Sequence, residues 1–144
     1  MATKIFPWLY LGGEEEVESI IDRVDIWIDF RDEDIDNLFI KIPENVVVIR
    51  MPFLDGDEKA AKKIYPIAKL IIDTARRQNK KILISCHMGI SRSATLALWL
   101  MAEEMGYEKA YRRLKSIRSI VCPDRRFQSI IQWIKGSNQN KNHM

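Results

Sequence analysis

The stretch ILISCHMGISRS, residues 82–93, joins a short apolar run to a glycine-containing loop, and an apolar segment follows it as far as Met101. Short apolar runs bounded by turn residues are typical of buried strands, and a longer segment that is apolar nearly all round is typical of a buried helix. The pattern therefore predicts a strand that leads through a loop into the N-terminus of a central helix. Such a junction favours anions, because loop N–H groups and the helix dipole both present partial positive charge.

Two chemically reactive side chains belong to this junction. Cys86 follows the apolar run, and Arg92 comes six positions later, where its planar guanidinium can return to bind phosphate. Thiols in electropositive places of this kind react as thiolates. Gly89 lets the loop adopt backbone conformations that other residues avoid. A buried and inert Cys86 is the alternative, but the C-x5-R spacing with an internal glycine favours a nucleophile.

Three further runs rich in strand-forming residues precede the junction and indicate the fold class. With Ile82–Ser85 they make four predicted strands, separated by segments long enough for helices. This alternation predicts an α/β fold with a largely parallel central sheet flanked by helices. We expect one domain over residues 4–135 and a flexible polar tail over residues 136–144. The three earlier strands are predicted at Trp8–Leu11, Ile26–Phe30 and Val46–Met51.

Helical periodicity is clear between Glu58 and Arg77, where apolar residues recur at the spacing of one buried face. Pro66 interrupts this segment, so the helix either kinks at the proline or begins there after a short first turn. Beyond Gly106 the pattern predicts two amphipathic helices. The first has Ala110, Tyr111, Leu114 and Ile117 on its apolar face, and the second has Phe127, Ile130, Ile131 and Ile134.

Composition narrows the class of protein. The chain has 144 residues and 47% hydrophobic content, which suits one globular core. No uninterrupted apolar stretch reaches the roughly 18 residues of a membrane span, and the N-terminus lacks the layout of a signal peptide. We therefore expect a cytoplasmic protein with no membrane partner. The two cysteines, Cys86 and Cys122, lack the spacing of a zinc site, so no metal is expected.

The net charge of +3 conceals a division along the chain. Residues 1–75 hold 9 Lys and Arg against 16 Asp and Glu, a balance of −7, while residues 76–144 hold 14 against 4, a balance of +10. A basic second half attracts anionic substrates. We expect its basic cluster to line the approach to the site or to be solvated, and nucleic-acid binding is not expected because no stacking aromatics accompany it. The cluster comprises Arg112, Arg113, Lys115, Arg118, Arg125 and Arg126.

The junction also resembles the signature of a known family. The pattern CHMGISRSAT, residues 86–95, is similar to that of the dual-specificity phosphatases, a branch of the cysteine-based protein tyrosine phosphatases. Residues 5–12 resemble the family's opening strand, residues 51–55 the strand before its acid loop, and residues 119–123 with Phe127 its closing helical turn. The resemblance covers nearly the whole domain. It implies a protein tyrosine phosphatase-like fold and phosphatase activity.

The resemblance assigns a role to each residue that matches. It makes Cys86 the nucleophile, Arg92 the ligand of the transition state, and Ser93 the hydroxyl that supports the thiolate when it leaves in the second step. A general acid is also required, because the departing alkoxide or phenolate needs a proton and the attacking water must later lose one. The implied phosphate-binding loop comprises His87, Met88, Gly89, Ile90, Ser91 and Arg92.

Two acidic residues compete for the role of general acid. Asp55 follows the strand of residues 51–54 as the family's acid does, and Gly56 gives its loop freedom to move. Asp57 is the rival, and helix capping or plain solvation is the alternative role for both residues. The resemblance favours Asp55.

The chain departs from the family's pattern near the site. Ser85 stands where the family usually has a histidine, so we expect Ser85 to hydrogen-bond within the loop and the pH profile to be shifted. Asp124 stands where asparagine is common and is expected to cap the last helix. His87, at a position that varies in the family, is expected at the rim of the site. Residues 32–36 are expected to form a solvated acidic loop, with a functional loop as the alternative.

Several functions remain open. The first is hydrolysis of phosphotyrosine and phosphoserine or phosphothreonine in a phosphorylated protein, by a monomer that needs no metal or organic cofactor. The second is a non-protein substrate such as an RNA 5′-triphosphate or a phosphoinositide, although His87, Met88 and Ile90 offer no fixed positive charge. A phosphate-binding module without turnover is the third, and another C-x5-R chemistry such as arsenate reduction is the fourth. A thiol, an arginine and an acid together favour the first.

Overall fold

The computed structural model of the protein describes residues 1–33 and 40–137. Among these residues it has five strands, four α-helices and three short 3-10 turns. The strands are β1 (Thr3–Phe6), β2 (Leu9–Gly13), β3 (Ile26–Asp29), β4 (Val47–Arg50) and β5 (Ile82–Cys86). The helices are α1 (Glu58–Arg77), α2 (Arg92–Met105), α3 (Tyr107–Ile117) and α4 (Gln128–Ser137).

The strands form one sheet in the order β1-β2-β5-β3-β4, with β5 at the centre. β5 runs parallel to both β2 and β3, β3 runs parallel to β4, and β1 runs antiparallel to β2. The predicted α/β fold with a largely parallel sheet is therefore confirmed. Because parallel strands end at the same edge of a sheet, the loops that follow β2, β3 and β5 lie side by side there.

The opening segment differs from the prediction. The sequence predicts one strand over Trp8–Leu11, whereas the structure has two strands, β1 and β2, joined by a turn at Pro7 and Trp8. Pro7 has no N–H group for a sheet ladder, and its fixed φ suits a turn. The Trp8 ring stacks on Phe6, with ring centroids 4.9 Å apart. A turn this short leaves the apolar pattern unbroken, so periodicity alone missed it.

Helix α1 is continuous through Pro66. A short first turn that ends before the proline is therefore wrong. Pro66 lies on the exposed face, where water can replace the hydrogen bond that a proline removes. The helix begins after Asp57, whose side chain accepts a 3.1 Å hydrogen bond from the N–H of Ala60.

The core occupies both faces of the sheet. Helices α1, α2 and α4 share one apolar cluster with Ile82, Ile84 and Cys86 of β5, while Leu83 packs on the other face with residues 17–24. Every residue of α2 from Arg92 to Ala102 is buried, as expected for a central helix. Full burial of one aliphatic side chain contributes about 1.5–3 kcal/mol, so this helix is firmly held. The beginning of α2 is consequently a rigid platform for the site.

The two amphipathic helices predicted near the end of the chain are present as α3 and α4. Phe127 belongs to a 3-10 turn, Arg125–Phe127, that precedes α4. Gly136 and Ser137 are helical, and residues 138–144 of the expected tail lie outside the described residues. Within residues 1–33 and 40–137, no helix combines the length and the apolar character that crossing a membrane requires.

Candidate active site

The predicted strand, loop and helix meet at the edge of the sheet. Cys86 is the last residue of β5, residues 87–91 form the loop, and Arg92 is the first residue of α2. Gly89 has a φ of 68°, in the left-handed region that favours glycine. A Cβ atom there would lie 2.5 Å from Arg118 Nη2 and 2.6 Å from the carbonyl carbon of Gly12. The loop therefore packs too closely for any larger residue at this position.

Cys86 and Ser93 form a contact at the base of the site. Their Sγ and Oγ atoms are 3.0 Å apart, and both residues are buried. When the Ser93 hydroxyl donates, the contact stabilises negative charge on the sulfur. A hydroxyl this close to the sulfur can stabilise the thiolate when it acts as a leaving group.

Arg92 is held in place by backbone carbonyl groups. Its Nη1 donates to the carbonyl oxygen of Phe53 at 2.9 Å and more weakly to that of Phe30 at 3.4 Å. The hydroxyl of Tyr65 donates to the carbonyl oxygen of Arg92 at 2.6 Å, so the residue is fixed at both ends. Burial alone lowers the pKa of Arg92, but the hydrogen bond to Glu33 and the charge on Cys86 outweigh burial and raise that pKa. The guanidinium is therefore a permanent cation next to the thiol.

Two acidic side chains that follow β3 also bind this guanidinium. Arg92 Nη2 donates to Glu33 at 2.8 Å, and Nη1 donates to Asp32 at 3.3 Å. Burial alone raises the pKa of Glu33, but the hydrogen bond from Arg92 outweighs it and lowers that pKa. Asp32 is exposed and Glu33 is partly exposed, but both pair with Arg92, so the alternative of a functional loop fits these two residues better than plain solvation. Residues 34–36 of that loop lie outside the described residues.

The two candidate acids have different surroundings. Asp57 caps α1 through its hydrogen bond from Ala60, so its carboxylate is already used by the helix. Asp55 lines the same cleft as Cys86 and Arg92. Its Oδ1 atom is buried and has no hydrogen-bond partner among the described residues. Asp55 therefore lies in the cleft with a carboxyl oxygen that no described protein group holds, whereas one oxygen of Asp57 is tied to the start of α1.

Ser85 does not hydrogen-bond within the loop, contrary to the expectation. Its side chain is fully buried, and its Oγ accepts a 2.7 Å hydrogen bond from Nε1 of Trp27 on β3. Side chains alternate along a strand, so Ser85 and Cys86 point to opposite faces of the sheet. Ser85 therefore acts on the nucleophile only through the backbone of β5.

Arg118 is a site residue that the sequence reasoning missed. The basic cluster was expected to line the approach to the site or to be solvated, yet Arg118 is only 6% exposed and lies behind the loop. Its Nε donates to the carbonyl oxygen of Gly89 at 2.9 Å, and its Nη2 donates to Glu16 at 2.5 Å. The i, i+4 spacing from Ala110 through Leu114 to position 118 carried the signal, because it continues the buried stripe of α3.

Two hydrogen bonds connect the segment before α4, residues 122–126, to the loop, and a third lies within that segment. The N–H of Asp124 donates to Ser91 Oγ at 2.7 Å, and the N–H of Cys122 donates to the carbonyl oxygen of Ile90 at 2.9 Å. The side chain of Asp124 accepts from the N–H of Arg126, so Asp124 caps the 3-10 turn Arg125–Phe127 that leads into α4, and not α4 itself as predicted. Hydrogen bonds from Arg126 lower the pKa of Asp124 to about 2.

The cleft above Cys86 has a volume of about 960 Å³. His87 lies at its rim, half-exposed, with Nδ1 2.5 Å from Glu14 Oε1. This placement agrees with the rim position expected from the sequence. Of the basic cluster, Arg125 and Arg126 line the cleft, while Arg112 and Arg113 are exposed elsewhere on α3. The cleft thus combines a thiol, a cation and an unpaired carboxyl oxygen.

Comparison with known proteins identifies related sequences. The family model for "Dual specificity phosphatase, catalytic domain" matches residues 9–135. The chain is 34% identical over 140 residues to protein phosphatase Slingshot homolog of Xenopus laevis, with 93% of this chain and 20% of that protein covered. It is 32% identical over 135 residues to tyrosine-protein phosphatase vhp-1 of Caenorhabditis elegans, with 87% and 20% covered. The chain thus spans about a fifth of the length of these relatives.

Solved structures with low sequence identity share the fold. The human tyrosine phosphatase-like serine/threonine/tyrosine-interacting protein superposes with a TM-score of 0.81 at 19% identity, covering 96% of this chain and 97% of that chain. The structure of DUSP15 superposes with a TM-score of 0.80 at 21% identity, covering 99% and 92%. The fold is therefore that of the protein tyrosine phosphatases. With the family model matching nearly the whole domain, the chain belongs to the dual-specificity phosphatase family.

Proposed function

We propose that this domain is a cysteine-dependent protein phosphatase that hydrolyses phosphotyrosine together with phosphoserine and phosphothreonine. The observation that carries the proposal is the convergence of Cys86, Arg92 and Asp55 on one cleft, with Ser93 in contact with the thiol. A cysteinyl-phosphate mechanism needs a nucleophile, an anion ligand and an acid, whereas a passive phosphate site needs only the anion ligand. The phosphatase names of the two relatives add support.

In the first step, the Cys86 thiolate attacks the phosphorus atom of a bound phosphate monoester. The bond between Sγ and phosphorus forms while the bond between phosphorus and the ester oxygen breaks. Arg92 and the N–H groups of the loop stabilise the charge on the nonbridging oxygens. Asp55 donates its proton to the departing alkoxide or phenolate.

In the second step, water attacks the cysteinyl-phosphate. The ionised Asp55 accepts a proton from the water as the new phosphorus–oxygen bond forms, and the phosphorus–sulfur bond breaks. The Ser93 hydroxyl, 3.0 Å from Sγ, donates to the departing thiolate. Inorganic phosphate leaves, and both Cys86 and Asp55 are back in their starting forms.

The rim of the cleft favours a protein substrate. Met88, which lines the cleft, is 54% exposed, and such an apolar side chain suits the residues that flank a phosphorylated side chain. His87, Met88 and Ile90 supply no fixed positive charge next to Cys86, which weakens the case for a polyphosphate or a phosphoinositide headgroup. The volume of the cleft, about 960 Å³, is large enough for either a phosphotyrosine or a phosphoserine side chain.

The deciding experiment measures hydrolysis of a generic aryl phosphate across pH in the presence of a chelator. We expect turnover that is abolished in Cys86→Ser and that loses its acid-dependent limb in Asp55→Asn. Asp57→Asn is the matched control, because asparagine caps helices as well as aspartate and the acid limb should persist. An acid limb lost in Asp57→Asn and kept in Asp55→Asn would reverse the assignment of the acid.

The substrate class is then tested with phosphotyrosyl and phosphoseryl peptides, a phosphoinositide and an RNA 5′-triphosphate at equal concentrations. We expect the peptides to have the higher kcat/KM. A preference for either non-protein substrate would contradict the proposal. Absence of turnover with every substrate, together with intact peptide binding, would indicate a phosphate-binding module.

A further inference from the structure

A second pocket adjoins the catalytic cleft, between α3 and α4. It has a volume of about 210 Å³ and shares Pro123, Asp124 and Arg125 with the cleft. Tyr107 and Tyr111 of α3 face it, and α4 contributes polar side chains that include Lys135. A ligand in the cleft can therefore extend past Arg125 into this pocket.

The walls of the pocket carry positive charge and hydrogen-bond donors. Arg125 is exposed and, across residues 1–33 and 40–137, forms no salt bridge with a carboxylate. Lys135 Nζ lies 4.9 Å from the centroid of the Tyr107 ring, a cation–π contact that holds the ammonium at the pocket. Burial, followed by the neighbouring Tyr111, raises the pKa of Tyr107 to about 12. The Tyr107 hydroxyl is consequently a permanent donor at neutral pH.

The one carboxylate in the wall is already neutralised. Both oxygens of Asp124 accept hydrogen bonds from the Arg126 guanidinium, at 2.9 and 2.8 Å. The surrounding sequence also carries an excess of positive charge, because residues 109–144 hold nine Lys and Arg and a single acidic residue, Asp124. Glu108, which follows Tyr107 in α3, adds negative charge near that ring but does not line the pocket, so the lining itself holds two cations and one paired carboxylate.

We propose that this pocket, formed by Tyr107, Tyr111, Arg125 and Lys135 and here termed the anion pocket, binds a second anionic side chain of the substrate. The inference rests on the proposed function, since it places the phosphorylated residue of the same protein in the cleft. The bound group is a carboxylate or a second phosphoryl group, which share the chemistry that arginine, lysine and tyrosine hydroxyls recognise. The favoured substrates are therefore phosphoproteins with an acidic or phosphorylated residue near the hydrolysed one.

The spacing between the two groups is limited by the geometry of the cavities. They adjoin, and an extended peptide advances roughly 3.3–3.6 Å per residue, so the second anion lies within about four residues of the first. An anionic residue at any other position in the peptide should gain no affinity from the pocket. This dependence on position separates a defined subsite from general attraction to a basic surface.

The test uses fluorescent phosphotyrosyl peptides and their equilibrium binding to Cys86→Ser, which removes the nucleophile. One peptide has alanine at every flanking position, and others carry a single glutamate or phosphoserine at each position up to about four residues away. We expect one anionic position to strengthen binding by about tenfold, the effect of one or two charge-assisted hydrogen bonds. Adding Arg125→Gln and Lys135→Gln should remove most of that gain.

Arg112→Gln is the matched control, because Arg112 is an exposed arginine of α3 outside both cavities. A gain that is independent of position, or that Arg112→Gln removes as fully as Arg125→Gln does, would overturn the anion pocket. A larger gain from phosphoserine than from glutamate identifies a second phosphoryl group as the preferred occupant, and the reverse identifies a carboxylate. Binding is read without turnover, so a catalytically inactive parent would refute the proposed function and leave this result intact.

Discussion

Arg118 donates a 2.9 Å hydrogen bond from Nε to the carbonyl oxygen of Gly89, 29 positions earlier in the chain. Its Nη2 reaches the carbonyl oxygen of Met88 at 3.3 Å. In a trans peptide the N–H group points opposite to the carbonyl group. Two carbonyl groups directed at Arg118 therefore direct the N–H groups of Gly89 and Ile90 the other way, away from Arg118. Arg118 is thus a positioning residue for the anion-binding loop.

Replacing Arg118 with methionine should disable the loop. Misdirecting N–H donors that stabilise developing charge costs about a hundredfold or more in kcat. The partly buried Glu16 also loses one of its two cationic partners and keeps the N-terminal ammonium of Met1. We expect kcat/KM for an aryl phosphate to fall by about that factor and inhibition by inorganic phosphate to weaken. Arg113→Met, an exposed neighbour on α3, should leave both unchanged. A variant that loses thermal stability but keeps phosphate inhibition would show a merely structural role.

Restoring the family's histidine at position 85 should harm this protein. Ser85 is fully buried against Trp27, and overpacking a closed site costs about 1–3 kcal/mol. Ser85→His is therefore expected to lower the free energy of unfolding, measured by urea denaturation, without raising kcat. Ser85→Ala should cost a similar amount, about 1–3 kcal/mol, because the indole N–H of Trp27 loses its acceptor. A stable Ser85→His variant with higher activity would contradict the role assigned to this face.

The Asp124–Arg126 pair should make stability depend on pH at the acidic end. The pKa of Asp124 falls from an ordinary 3.8 to about 2 in the folded protein. A lowered folded-state pKa contributes stability that is complete above about pH 3.8 and is lost as the pH falls to about 2. Asp124→Asn keeps a capping oxygen and removes the titrating group, so its stability should fall less steeply across this window. The free energy of unfolding of both proteins is measured by urea denaturation at each pH. If it falls equally steeply in the parent and in Asp124→Asn, Asp124 does not contribute.

Glu33 should compete with phosphate for Arg92. Its carboxylate accepts from Arg92 Nη2 at 2.8 Å, and a phosphate dianion bound by the same guanidinium would feel its negative charge. We expect Glu33→Gln to strengthen inhibition by inorganic phosphate severalfold, with a smaller gain at high salt. Glu44→Gln, at an exposed position outside both cavities, is the control for the change in net charge. Weaker inhibition in Glu33→Gln would mean that the carboxylate orients Arg92 and does not compete.

The reactive elements could be predicted from the sequence because they are encoded locally. The apolar run of β5, Gly89 and the C-x5-R spacing lie within a dozen residues, and each follows from backbone preference or helix-terminus electrostatics. The continuity of α1 through Pro66 was less predictable. Its outcome depends on which face of the helix meets solvent, and that is decided by packing.

By itself, the sequence determined the α/β class and the order of strands and helices around the junction, and it nominated Cys86 and Arg92 as the candidate reactive pair. Tertiary structure decided the rest: that Asp55 lies in the cleft while Asp57 caps a helix, and that Arg118 is buried. The physical reason is distance along the chain. Arg92 meets Glu33 across 59 positions and Arg118 meets Glu16 across 102, and such contacts exist only after the sheet has brought separate loops to one edge.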